Sequence, residues 1–125
     1  MTTHIGKVLL LLGLLPCFLS AGPRVVLAHA FPDHSEPRVG ATVENSPASV
    51  RIWFDGALES AFTTIVVQDD DGRQVDKGNG GVNPSDPTLL ETELPPLPPG
   101  TYRVIWEVLA RDGHRTKGDF TFNLK

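Results

Sequence analysis

The run TYRVIWEVL, Thr101–Leu109, alternates without a break. In an extended chain, Tyr102, Val104, Trp106 and Val108 fall on one face, and Thr101, Arg103, Ile105 and Glu107 on the other. A period of two marks a strand with one buried face. The chain closes on the same pattern in DFTFNL, where Phe120, Phe122 and Leu124 alternate with Asp119, Thr121 and Asn123. These two strands are the most apolar of the sequence. The segment between them, ARDGHRTKG (Ala110–Gly118), is expected to be a loop held by a rigid pair.

Working outward, VRIWF (Val50–Phe54), the β-branched TTIVVQ (Thr63–Gln68) and TLLETEL (Thr88–Leu94) read as further short strands. DDDGRQ (Asp69–Gln74) is a turn, with Asp71-Gly72 a hairpin signal. GNGGVNPSDP (Gly78–Pro87) reads as a flexible loop. PPLPPG (Pro95–Gly100) is a stiff connection that a central strand would not tolerate. No stretch after residue 29 has a convincing helical period. Short strands with closely spaced turn signals predict an all-β sandwich of antiparallel sheets. Trp53, Trp106 and Tyr102 are expected in its core, the tyrosine with its hydroxyl at an edge.

The chain has 125 residues and a net charge of −4, the size of one small domain. Its beginning is not domain-like. Lys7 precedes a 12-residue apolar run, Val8–Leu19, as in the charged and apolar regions of a secretory signal. The run is shorter than the roughly 20 residues of a membrane span. Cys17 follows Pro16, where a lipoprotein signal has a small residue, so no lipid anchor is expected. Two cut sites compete, VLA before His29 and AHA before Phe31. The expected division is a leader over 1–28 and one domain over 29–125. All 15 acidic residues but only nine of the 11 basic ones fall in that domain, for a net charge of −6. It has no basic run, which argues against nucleic acid. It has no Cys and no Met, which excludes disulfides and thiolate metal sites.

Three histidines follow the leader: His29, His34 and His114. There is no nucleophile elbow, phosphate loop or HExxH motif, so an enzyme is not expected. The acidic run Asp69–Asp71 lacks the spaced ligands of a calcium loop and reads as a solvated turn. His34 reads as a solvated side chain or a spare ligand. An N-terminal histidine has different chemistry. Its free amine, of ordinary pKa about 7.7–8.0, can chelate one metal together with its own Nδ1. His114 would add a third nitrogen and Asp112 an oxygen, with Gly113 between them permitting a tight turn. Three nitrogens and a carboxylate suit one tetragonal Cu(II) ion per chain.

The ordered segments HAFPDHSEPRVGATV, SPASVRIWF and PPGTYRVIWEVLARDGHRTKGDFTFNL resemble the CopC family of periplasmic copper-binding proteins, over His29–Leu124. The resemblance implies an immunoglobulin-like, Greek-key β-sandwich that binds Cu(II) in copper resistance, homeostasis or import. It implies a periplasmic location and a CopD-like inner-membrane partner. The family's terminal histidine falls on His29 and its Asp-x-His pair on Asp112 and His114. Two departures stand out. With no Met after Met1, the second, Met-rich Cu(I) site of some members is not expected. Asp55 and Gly56 stand where many members carry a glutamate, and a one-residue offset on a strand reverses the face, so Asp55 is a weak candidate. Two readings compete with a carrier: a histidine-brace oxidative enzyme and a metal-free structural sandwich. The resemblance selects cleavage after Ala28. Intact mass spectrometry of the exported protein is expected to give a chain starting at His29; a start at Phe31 would remove the proposed chelate.

Overall fold

The computed structural model describes residues 30–125. The expected leader, 1–28, and His29 lie outside the described residues. All regular structure among the described residues is β. In chain order the strands are β1 (Pro32–Glu36), β2 (Thr42–Val43), β3 (Ser49–Phe54), β4 (Leu58–Gln68), β5 (Gly81–Asn83), β6 (Asp86–Glu93), β7 (Gly100–Ala110) and β8 (Arg115–Leu124). They form two four-stranded sheets, β1-β3-β6-β5 and β2-β8-β7-β4. All neighbours are antiparallel except β2, which runs parallel to β8. This is the strand arrangement of an immunoglobulin-like sandwich, with the first strand divided between the two sheets.

The alternating run at Thr101 is the middle of β7, and its even-numbered side chains face inward as expected. Opposite them, Val50, Ile52 and Phe54 of β3 and Leu90 of β6 come from the other sheet, all at most 4 % exposed. Phe120, Phe122 and Leu124 of β8 complete the layer. Each large apolar side chain buried this way contributes roughly 1.5–3 kcal/mol, and no disulfide adds to it. Trp106 lies edge-on to Phe54, with ring centroids 5.3 Å apart. Its indole covers Gly118 directly across the ladder, where an added Cβ would stand 2.6 Å from the ring. Glycine is what lets the tryptophan lie flat there.

Four expectations are corrected. The last connection is not nine residues, because β8 already starts at Arg115. Arg115, Lys117 and Asp119 point outward and Gly118 inward, so the strand's first half had no apolar side chain to betray it. The expected loop over 78–87 contains β5, stopped by a tight turn in which the Asn83 side chain accepts the amide protons of Ser85 and Asp86. β1 and β2 were not foreseen; within β1 only Ser35 faces inward. Trp53 is not core. With Val50, Ile52 and Phe54 inside, period two puts it on the outer face, half-buried. There the His34 ring stacks on it at 4.5 Å and the Arg51 guanidinium lies 5.2 Å from its centroid.

β4 carries an irregularity between Glu59 and Thr64. The Thr63 hydroxyl donates to Glu59 O at 2.5 Å and accepts Leu109 N–H at 3.2 Å, which ties the bulge to β7. Phe62 takes a left-handed φ of 62° and stays 70 % exposed, with the Arg115 guanidinium 5.5 Å from its ring.

Tyr102 is buried, and its hydroxyl donates to Pro98 O, four residues back. This is the tyrosine corner that locks the turn into β7 in immunoglobulin-like sandwiches. Burial, and secondarily the charge of Asp69, raises the phenol above its ordinary pKa of 10.0. The folded state therefore favours the protonated phenol. That stability is full below about pH 10 and is lost as the pH rises through the folded value. In urea titrations, Tyr102→Phe is expected to cost about 1 kcal/mol at neutral pH. The same variant should show a shallower loss of stability than the parent above pH 10.

Candidate metal centre

The turn between β7 and β8 closes over four residues. Ala110 N–H donates to His114 O at 2.8 Å, and Gly113 N–H donates to Ala110 O at 2.9 Å. Gly113 has φ of 93°, the conformation expected of the glycine between the two candidate ligands. Within the turn, Asp112 Oδ1 accepts the amide proton of His114 at 2.9 Å. The other carboxylate oxygen, Oδ2, lies 3.1 Å from His114 Nδ1. The structure thus brings Asp112 and His114 together.

That spacing has chemical content. Two donors at right angles, each about 2.0–2.2 Å from a metal, stand roughly 2.8–3.1 Å apart. Both side chains are partly open to solvent, 26 % for Asp112 and 39 % for His114, while the His114 Nδ1 atom itself is buried. Two donors do not make a closed site. Among the described residues there is no group of three or more His, Cys, Asp or Glu able to hold a metal. The third member of the expected set, His29, lies outside the described residues.

The chain next to His29 is described, and it is held at this end of the sandwich. Ala30 is fully buried, and its carbonyl accepts the Thr116 hydroxyl at 2.8 Å. Phe31 N–H donates to Asp55 Oδ1 at 2.7 Å, and Asp55 N–H returns a bond to Phe31 O at 2.9 Å. The β3–β4 connection is tied in turn to the β7–β8 turn, through Arg111 N–H and Ala57 O at 3.1 Å. Asp55, a weak candidate by its strand offset, is therefore a backbone anchor. Sequence reasoning missed Thr116 entirely. Its partner is 86 residues away, and no local pattern links them.

The remaining candidates lie elsewhere. His34 belongs to the outer face of the first sheet, stacked on Trp53 and 2.8 Å from Asp33 Oδ2. The Asp69–Asp71 run is a turn, with Asp69 Oδ1 accepting the amide protons of Asp71 and Arg73. A cleft of about 560 Å³ opens between β1 and β8, over Ile52, Trp106 and Phe120, and neither Asp112 nor His114 lines it.

Comparison with known proteins agrees with this architecture. The CopC domain family model matches residues 33–125. Protein YobA of Escherichia coli K12 is 33 % identical over 101 residues, covering 80 % of this chain and 82 % of that protein. Copper transport protein CutJ of Bacillus subtilis is 29 % identical over 108 residues, covering 86 % of this chain but 20 % of that longer protein. Among solved structures, CopC from Methylosinus trichosporium OB3b superposes with a TM-score of 0.69 at 31 % identity, covering 78 % of this chain and 94 % of that one. PcoC, a methionine-rich copper resistance protein from Escherichia coli, gives 0.66 at 28 % identity, covering 78 % of this chain and all of that one. The chain belongs to the CopC domain family, whose relatives include copper resistance and copper transport proteins.

Proposed function

We propose that this protein is a periplasmic Cu(II) carrier, bound through the amine and imidazole of His29, the imidazole of His114 and the carboxylate of Asp112. The observation that carries the reading is the Asp112–His114 pair, with donor atoms 3.1 Å apart on a braced turn at the end where the chain leaves His29. Nitrogen and oxygen donors favour Cu(II), which stands at the top of the divalent affinity order. PcoC is methionine-rich by description, whereas this chain has no Met after Met1 and so no thioether for Cu(I).

An open, partly exposed site suits an ion that must be handed on, in copper resistance, homeostasis or import. The receiver in this reading is a CopD-like protein of the inner membrane. CutJ supports it to this extent: a segment like this chain is one fifth of a longer copper transport protein. The leader over 1–28 would deliver the domain to the periplasm and, once cut after Ala28, free the amine of His29. A histidine-brace oxidative enzyme would share the terminal histidine. The Asp112 carboxylate counts against it, because it would occupy a position that oxygen chemistry needs open.

Protein starting at His29 is expected to take up one Cu(II) per chain in a competition titration, with little affinity for Cu(I). His114→Ala should weaken Cu(II) by roughly 100-fold or more, Asp112→Asn by less, and His34→Ala hardly at all. Equal losses for His114→Ala and His34→Ala would show the site to be wrongly assigned. One Gly added before His29 leaves every side chain in place but moves the amine. It should cost on the order of ~4 kcal/mol, three factors of ten, and change the electron paramagnetic resonance spectrum. Ascorbate-driven turnover of a polysaccharide by the copper form would favour the enzyme instead.

A further inference from the structure

We infer that Thr116 and Asp55 are positioning residues of the copper site, a two-point clamp that orders the chain beside His29 before any metal arrives. The inference rests on the reading of His29 as a ligand and adds two residues that the ligand set does not contain. Chain ends ordinarily fray, and fixing one residue's backbone costs roughly 1–2 kcal/mol. A metal that had to order a loose terminus would bind more weakly by that amount.

Here the order is already in the fold. Ala30 is fully buried, next to Gly56, and its carbonyl is taken by the Thr116 hydroxyl at 2.8 Å. Phe31 is held through its amide by Asp55 Oδ1 at 2.7 Å and through its carbonyl by Asp55 N–H at 2.9 Å. Thr116 lies on β8 and Asp55 in the β3–β4 connection, and each is wired to the ligand turn. Thr116 is two residues beyond His114 on β8 and pairs with Val108. Asp55 opens the connection whose Ala57 carbonyl accepts Arg111 N–H. Residues 30–31, the β3–β4 connection and the β7–β8 turn are thus joined in one hydrogen-bonded set.

The residue type at 116 supports this role. Thr116 falls on the face of β8 that Gly118, Phe120, Phe122 and Leu124 turn inward. Valine would fill the same volume there. Threonine differs by the one hydroxyl that Ala30 uses. A hydroxyl placed only to satisfy a buried carbonyl would change stability and leave the metal spectrum alone. A clamp acting on His29 must change both.

The test uses protein starting at His29, with Cu(II) as the probe, read by competition with a chromogenic chelator and by electron paramagnetic resonance. Thr116→Val is expected to lose roughly 10- to 100-fold in affinity, the usual effect of removing a group that orients a metal ligand. Thr116→Ser keeps the hydroxyl and should bind like the parent. Asp55→Ala should lose less, about threefold to fivefold, since an exposed hydrogen bond competes with water. Asp55→Asn, which keeps the acceptor, should restore binding.

The deciding arm repeats Thr116→Val in the chain carrying one extra Gly before His29. There the amine chelate is already lost, so a clamp acting through His29 has little left to affect. Parent-like binding by Thr116→Val overturns the clamp, and so does an equal loss in both backgrounds, which marks a structural role. If the parent takes up no Cu(II), or His114→Ala loses nothing, the copper reading falls and the clamp with it.

Discussion

Ten consecutive residue pairs join β7 to β8, from Gly100 with Leu124 to Leu109 with Arg115, with no bulge. The β1–β3, β4–β7 and β5–β6 ladders are each interrupted. The β7–β8 ladder, the longest unbroken one, sets the register of its sheet. A shift by one residue would turn Tyr102, Val104, Trp106 and Val108 to solvent and lift Trp106 off Gly118. It would also move Asp112 and His114, because their turn closes directly on the last pair. The core and the candidate site are consequences of one pairing, and the site inherits the rigidity of the ladder behind it.

What could be read from the sequence follows the same division. β3 and β7 were visible from period two, the second half of β4 from its β-branched run, and β6 as a further short strand. β1 offers only Ser35 to the interior and β5 is three residues long, so neither has a pattern to find. The first half of β8 hid behind Arg115, Lys117 and Gly118. Trp53 was misplaced because its size outweighed its position: counting from Val50, Ile52 and Phe54 puts it outside. Asp112 and His114 were legible because a turn glycine and two donor types lie in three adjacent positions. Asp55 and Thr116 were not. Their bonds reach 24 and 86 residues along the chain, beyond any local spacing rule.

The arrangement separates binding from shape. Asp112 and His114, the described members of the candidate site, stand at one end, partly open, while their supports are buried or bonded to backbone. An exposed loop carrying the same residues would have to be ordered by the ion itself. Here the turn is only four residues long and is braced by Ala57 and by its own Asp112–His114 bond. A small chain without disulfides can hold such a geometry because the strands on either side are its best-packed elements.

The divided first strand has a consequence for how the molecule comes into being. β2 pairs with the last two residues of β8, and Ala30 bonds to Thr116, so the beginning of the domain is completed by its end. A chain emerging from its N-terminus can form neither contact until the final ten residues are available. Non-local closure of this kind is slow and comes late. Until β8 is made, β2 and the Ala30 carbonyl therefore lack these two partners.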